Sequence, residues 1–241
     1  MLVSAAICPH PPLLVPEVGP RHDGRLEVLR DACRAALREL HNASPELLIV
    51  VGTGERTELD VVGTGDFAAY GVPRQVALPG HAGDAASGSV LASAMPLSLC
   101  VGAWLLERDG WPGPVAGAVV ARTAGPDDCV RLGAEVAERD ERVALLVMTD
   151  GAPGHDADET PQVRSRAGAH HLAFVGALGS GDPRQILALD AAAAAAAGAH
   201  GLNALNVLAG AAVDTVFDAD VLYDAAPFGV GYTVAVWERH G

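Results

Sequence analysis

The chain has 241 residues and a formal net charge of −14, from 30 acidic residues against 16 basic ones. A field of that sign repels phosphate backbones and anionic lipid surfaces, so neither nucleic acid nor a membrane is an expected partner. Every basic residue is arginine, which excludes Schiff-base and lysine-nucleophile chemistry.

The opening segment MLVSAAICPHPP has no basic region, and prolines end its apolar run at once, so we expect no signal peptide. No segment offers the roughly 20 uninterrupted apolar residues that a membrane span requires. The four cysteines are scattered without metal-ligand spacing and are expected to be reduced and mostly buried. A cytoplasmic location is the resulting expectation.

Apolar runs bounded by turn residues predict buried strands, and apolar residues at three- and four-residue spacing predict helices. In chain order the predicted elements are a strand at 2–8, a helix at 23–41, a strand at 47–51, a hairpin or loop within 63–88, a helix at 97–110, a strand at 114–121, a helix at 127–139, a strand at 142–151, helices at 161–178 and 182–199, and a closing strand around Tyr232, Val234 and Val236. The alanine run at 191–197 is expected to form a tightly packed helix.

This alternation of strands and helices predicts one α/β domain over residues 1–241, with helices layered on both faces of a largely parallel or mixed central sheet (α/β/α). In such sheets, sites form where loops leave the carboxyl ends of strands. Reactive side chains at the predicted strand ends are therefore the candidate site residues.

Two predicted strand ends carry histidines. His10 follows the first strand, and the flanking prolines fix its backbone. Alone, a histidine in such a loop is more often a surface or packing residue than a ligand. Asp150 and His155 follow the strand at 142–151 and could supply a metal ligand or a general base, although a solvated acidic loop fits equally well. The glycines of Gly52-Thr53-Gly54 allow a close backbone approach to a ligand.

Other histidines are weaker candidates. His200 lies near a predicted helix end, where the helix dipole alone favours it. His170 and His171 are neighbours in mid-helix and point in different directions, so they cannot chelate one ion and are interpreted as structural. His81 lies in a glycine-rich loop.

Three segments together resemble the LigB-like superfamily, which comprises the catalytic subunit of class III extradiol ring-cleavage dioxygenases and relatives such as the Memo-like proteins. They are ICPHPPLLVPEVG near the start, MTDGAPGH in the middle and APFGVGYTVA near the end. The resemblance implies a LigB-like (phosphorylase/hydrolase-like) architecture. In active members two histidines and a glutamate hold Fe(II), and a further histidine moves protons while O2 opens a catecholic ring.

Carried over to this chain, the resemblance makes His10 the first iron ligand and His155 the acid/base. The family's second histidine falls at Gly54, and its glutamate falls at Ala199. Neither residue has a side chain that can bind a metal. The following residue, His200, stands where relatives have cysteine, so the chain keeps part of the metal framework and lacks the rest.

Three functions remain open at this point. A rebuilt iron site could use His10 and His200 with Glu17 or Asp150 as supporting ligand, with Fe(II) or another divalent metal, and open a catecholic ring. Alternatively, the site is vestigial and the domain is an inactive, Memo-like binding or scaffold protein. A zinc hydrolase using His10, His155 and a carboxylate is a third option. In each case the expected ligand is a small molecule, which could be aromatic. The resemblance is also compatible with a homodimer.

Overall fold

The computed structural model describes residues 1–20, 22–78, 89–90 and 95–239. His81 lies outside these residues. The strands are β1 (Leu2–Cys8), β2 (Leu47–Gly54), β3 (Glu58–Phe67), β4 (Val72–Leu78), β5 (Ser89–Val90), β6 (Val115–Ala121), β7 (Val143–Met148), β8 (Phe217–Ala225) and β9 (Tyr232–Arg239). The helices are α1 (Gly24–Asn42), α2 (Leu97–Asp109), α3 (Pro126–Ala137), α4 (Pro161–Gly179), α5 (Pro183–Leu187), α6 (Ala191–Ala196) and α7 (Leu202–Ala211).

The described strands form one mixed sheet in the order β4-β3-β6-β2-β7-β1-β9-β8, with β5 paired to β3. The four central strands β6, β2, β7 and β1 are parallel. Antiparallel strands flank them on both sides. The prediction of a layered α/β fold with a mixed sheet is confirmed.

Buried side chains lie on both faces of the sheet, because the central strands are apolar along their whole length. On one face α1 and α2 pack against residues such as Cys8, Val50 and Met148. On the other face α3, α4, α5 and α7 pack against the alternate residues, such as Ile7 and Val147. This arrangement gives three layers.

Helices α3 and α7 approach each other unusually closely, and glycine makes this possible. A Cβ atom on Gly133 would collide with the carbonyl oxygen of Val207, and one on Gly210 would collide with the carbonyl oxygen of Val130. The two backbones are therefore in direct contact.

The predicted helix at 182–199 is wrong as a single element. It is two short helices, because the Asp190 carboxylate accepts hydrogen bonds from the backbone N–H groups of Ala192 and Ala193 and starts a new helix. The prediction that the alanine run packs tightly is also wrong, since only Ala194 of α6 is buried. Strict alternation fails as well: β2 to β5 follow one another, and β3 and β4 form an antiparallel hairpin.

All four cysteines are free and buried, as expected. Among the helices that the structure describes, none combines the length and the apolar character that crossing a membrane requires.

Candidate functional site

A cleft of about 400 Å³ lies at the carboxyl ends of the four central parallel strands. Each of these strands brings one polar residue to it: β1 leads to His10, β2 carries Thr53 at its next-to-last position, β6 leads to Arg122 and β7 leads to Asp150. The complete lining, here named the strand-end cleft, is His10, Thr53, Tyr70, Leu97, Ser98, Arg122, Met148, Asp150, Gly151, Pro153, Gly198, His200, Gly201 and Val230. The site therefore lies where an open α/β sheet is expected to bind ligands.

His10 and Asp150 form a pair at the floor of the strand-end cleft. The backbone N–H of His10 donates to Asp150 Oδ1 at 2.8 Å, and His10 Nδ1 lies 3.6 Å from Asp150 Oδ2. Because Nδ1 is buried and turned towards the carboxylate, Nε2 is the ring nitrogen left for a ligand. The backbone hydrogen bond holds the Asp150 carboxylate beside the imidazole, while the 3.6 Å separation is too long for a hydrogen bond from Nδ1 itself.

Tyr232 lies near the Asp150 carboxylate, at the start of β9. Burial raises the pKa of Tyr232 to about 12, and the charge of Asp150 adds to the effect. The phenol is therefore neutral at physiological pH and is no source of a phenolate.

His200 joins this group through the segment that precedes α7. The hydroxyl of Thr149 donates to the carbonyl oxygen of Gly201 at 3.1 Å, which ties the segment to the end of β7. Gly198 has φ +75°, a left-handed conformation that glycine adopts without strain. The structure thus brings His10, Asp150 and His200 to one cleft.

His155 does not line the strand-end cleft. Its backbone N–H donates to the carbonyl oxygen of Gly229 at 3.0 Å, and its ring packs edge-on against His171 with 5.2 Å between ring centroids. His171 Nε2 is in turn 2.7 Å from Asp224 Oδ1. Burial, and then the neighbouring His171, lower the pKa of His155. His155 is therefore a largely neutral imidazole near pH 7, next to the cleft wall.

His171 is a residue whose contacts sequence reasoning missed. Its position in mid-helix gave no sign that its face of α4 packs against β8 and against the loop after β7. Both His155 Nε2 and His171 Nδ1 are buried without a hydrogen-bond partner among the described residues. A Cβ atom on Gly231 would lie 2.8 Å from His171 Nδ1, so the glycine leaves room for these rings.

Glu17 also lies away from the strand-end cleft. Its carboxylate is 3.6 Å from the guanidinium of Arg74 on β4. Its role as a supporting metal ligand stays a prediction without a geometric basis here.

The position of the family's second histidine, Gly54, is filled by neighbouring side chains. A Cβ atom there would lie 2.6 Å from Val119 Cγ1 and 3.1 Å from Pro96 Cγ. Real Cβ atoms essentially never approach that closely, so a larger residue requires movement of the surroundings. The space that the family's ligand side chain needs is occupied by protein.

The position of the family's glutamate is likewise packed. Ala199 is 7% exposed and belongs to a small cluster with Ala152, Ala167 and Ala194. Ala199 is not part of the cleft lining, whereas its neighbour His200 is. Restoring a carboxylate at 199 would place it in this alanine cluster.

Within the described ranges, no three His, Cys, Asp or Glu side chains are grouped so that they could hold a metal ion. His10, Asp150 and His200 line one cleft without forming such a group. The described residues therefore do not by themselves supply the three-ligand iron arrangement that the resemblance implies, and the roles of His10 and His200 as metal ligands stay predictions.

Three further lining residues were missed from the sequence: Arg122, Ser98 and Tyr70. Arg122 could have been found, because it directly follows a strand that the sequence does predict. Ser98 and Tyr70 reach the cleft from the start of α2 and from the turn after β3, and no local pattern signals that placement.

Comparisons with known proteins give a fold match and nothing more specific. No family model matches the sequence, and no curated protein matches it. Among solved structures, the chain is similar to the crystal structure of the uncharacterized protein JW3007 from Escherichia coli K12, with a TM-score of 0.62 and 14% sequence identity. The match covers 98% of this chain and 99% of that one, so the two share a fold along their whole length.

Proposed function

We propose that this protein is a LigB-like domain whose strand-end cleft binds a small molecule without a resident iron. The ordered occurrence of ICPHPPLLVPEVG, MTDGAPGH and APFGVGYTVA supports the ancestry. The whole-chain similarity to JW3007 supports a shared fold and carries no functional information. Of the three functions that the sequence leaves open, this is the second, in which the iron site is vestigial and the domain binds a ligand without catalysing ring opening.

The observation that carries the proposal is the packing at Gly54 and Ala199. If the iron site had merely lost two ligands, their positions would leave vacant space beside the cleft. Instead Val119 and Pro96 fill the first position, and the alanine cluster encloses the second. Loss of two ligands from a mononuclear site removes most of its affinity, and repacking removes the room to restore them.

The cleft itself is retained. Its volume of about 400 Å³ lies within the range of small-molecule sites, and it combines apolar side chains with a few polar groups, as such sites do. Leu97, Met148 and Val230 supply apolar surface, while His10 and Asp150 form an oriented polar pair.

Metal analysis of anaerobically purified protein tests the proposal, followed by Fe(II) loading and oxygen uptake with a panel of catechols. We expect substoichiometric iron before and after loading and no catechol-dependent uptake. His10→Ala removes the candidate ligand. His22→Ala, which removes an exposed histidine, is the matched control. One iron per chain that His10→Ala abolishes and His22→Ala retains, together with oxygen uptake, would establish the rebuilt dioxygenase site instead.

A further inference from the structure

The strand-end cleft differs in charge from the rest of the molecule. The chain carries a net charge of −14, yet among the described residues the cleft lining contains Arg122, His10 and His200 with Asp150 as the one acidic residue. Asp150 already accepts a hydrogen bond from the backbone N–H of His10, and the His10 ring nitrogen Nδ1 lies 3.6 Å from its other oxygen. A ligand in the cleft therefore meets a formally neutral lining in an acidic protein, with one guanidinium, two imidazoles and one carboxylate that already accepts a backbone hydrogen bond.

Arg122 is the strongest of these groups. Its backbone is held on both sides, because its N–H donates to the carbonyl oxygen of Gly54 at 3.0 Å and its own carbonyl accepts from Asn203 Nδ2 at 3.2 Å. Asn203 Nδ2 also lies 2.9 Å from the carbonyl oxygen of Ala121 and 3.3 Å from that of Ala124. The residue is thus anchored at the cleft while its exposed side chain extends from a fixed point.

The guanidinium of Arg122 has no hydrogen bond or ion pair with any other described residue. Some arginines, such as Arg74 and Arg139, are paired with carboxylates, and others, such as the exposed Arg166, are not. Arg122 differs from these unpaired arginines because it lines the cleft. An unpaired guanidinium on a backbone anchored at a polar cleft can present its five donors to whatever occupies that cleft.

Neighbouring groups favour the same kind of ligand. The imidazole of His200 has no partner among the described residues and lines the cleft beside Gly201. The first turn of α2, which brings Leu97 and Ser98 to the cleft, has no side-chain cap, so its backbone N–H groups add positive potential. His200 and the first turn of α2 both favour an anionic ligand, although neither of them defines a site by itself.

We propose that the strand-end cleft binds a small organic oxyanion, a carboxylate or a phosphate ester, with the Arg122 guanidinium as its anchor and His200 beside it. Both oxyanions match the planar fork of arginine, and charge-assisted bidentate pairs are the strong ones. The apolar lining takes the organic part. The inference rests on the proposed function in one respect, because it assumes that side chains, and no resident iron, hold the ligand.

Calorimetric titration of the full chain with benzoate, phenyl phosphate and the neutral isostere benzamide tests the inference. We expect benzoate or phenyl phosphate to bind more tightly than benzamide, and the difference between the two anions assigns the ligand to carboxylates or to phosphate esters. Arg122→Ala should weaken anion binding by roughly 10- to 100-fold, the loss of a charge-assisted hydrogen-bond pair. Arg122→Lys keeps the charge without the fork and should bind with intermediate affinity.

Arg166→Ala is the matched control, because Arg166 is exposed on α4, outside the cleft lining, and its loss changes the net charge equally. It should alter anion affinity by less than about 2-fold. Benzamide binding as tightly as both anions, no anion binding by the parent, or equal effects of Arg122→Ala and Arg166→Ala would overturn the inference. If Arg122→Ala does not fold, Arg122→Lys gives the comparison. Stoichiometric iron with an intact Arg122 effect would refute the proposed function alone.

Discussion

Gly54→Ala measures directly whether the position that the LigB-like resemblance gives to a second histidine ligand is closed. The new Cβ would lie 2.6 Å from Val119 Cγ1, on a side chain that is 2% exposed and stiff about χ1. Overpacking of this kind costs about 1–3 kcal/mol. Replacing glycine by alanine also restricts the unfolded chain, which offsets the cost by about 0.4–1 kcal/mol. We expect a net loss of roughly 1–2 kcal/mol in the free energy of unfolding.

Reversible urea unfolding provides the assay. With an m-value of ~3 kcal/mol/M, the midpoint should fall by ~0.3–0.7 M. Val119→Ala removes the opposing methyl group, so the double variant should be more stable than the sum of the two single changes by about 1 kcal/mol. Gly168→Ala, with nothing within 4 Å of its Cβ, is the control and should not destabilise. A Gly54→Ala protein as stable as the parent would mean that the position is open, and the argument against a ligand there would fail.

Two further predictions concern stability. Burial and His171 lower the pKa of His155, so below about pH 6.5 the unfolded chain binds a proton at His155 more readily than the native protein does. The free energy of unfolding should therefore fall as pH drops below about 6.5. The pKa of His170 is lowered by burial in the same way, so His155→Gln should reduce but not abolish this slope in urea unfolding between pH 5 and 8. Equal slopes would contradict the cause given. Gly133→Ala should lower the melting temperature far more than Gly168→Ala, because its Cβ meets the backbone of α7; equal melting temperatures would show that α3 can shift freely.

Much of the fold could be predicted because its signals are local. The apolar runs of β1, β2 and β7 and the apolar stripe of α1 each identify an element without reference to the rest of the chain. The break between α5 and α6 was missed because alanine favours a helix of any length, whereas Asp190 decides where one begins. The contact between α3 and α7 was missed because a glycine in a helix does not reveal what packs against it.

The candidate site was predictable to the extent that it follows from strand ends. His10 and Asp150 were predicted because they follow strand ends. Arg122 also follows a strand end, but the candidates were limited to histidines and carboxylates. His155 follows the same strand as Asp150, yet the chain turns at Gly154, which has φ +95°, and directs the later residue behind the cleft wall. Such a reversal depends on pairing with the segment before β9, which no local pattern reports.

The charge of the strand-end cleft and the packing at Gly54 are connected by electrostatics. In a metal site the ion is the largest local charge and can balance an anionic ligand. If no ion resides at these strand ends, as proposed, that charge must come from side chains, and Arg122 is the one arginine among the described lining residues. The acidic surface does not oppose this locally, since charges beyond about 8–10 Å are largely screened at physiological ionic strength. An acidic protein can therefore have an anion-binding cleft, provided that a cationic side chain such as Arg122 lies in the cleft itself.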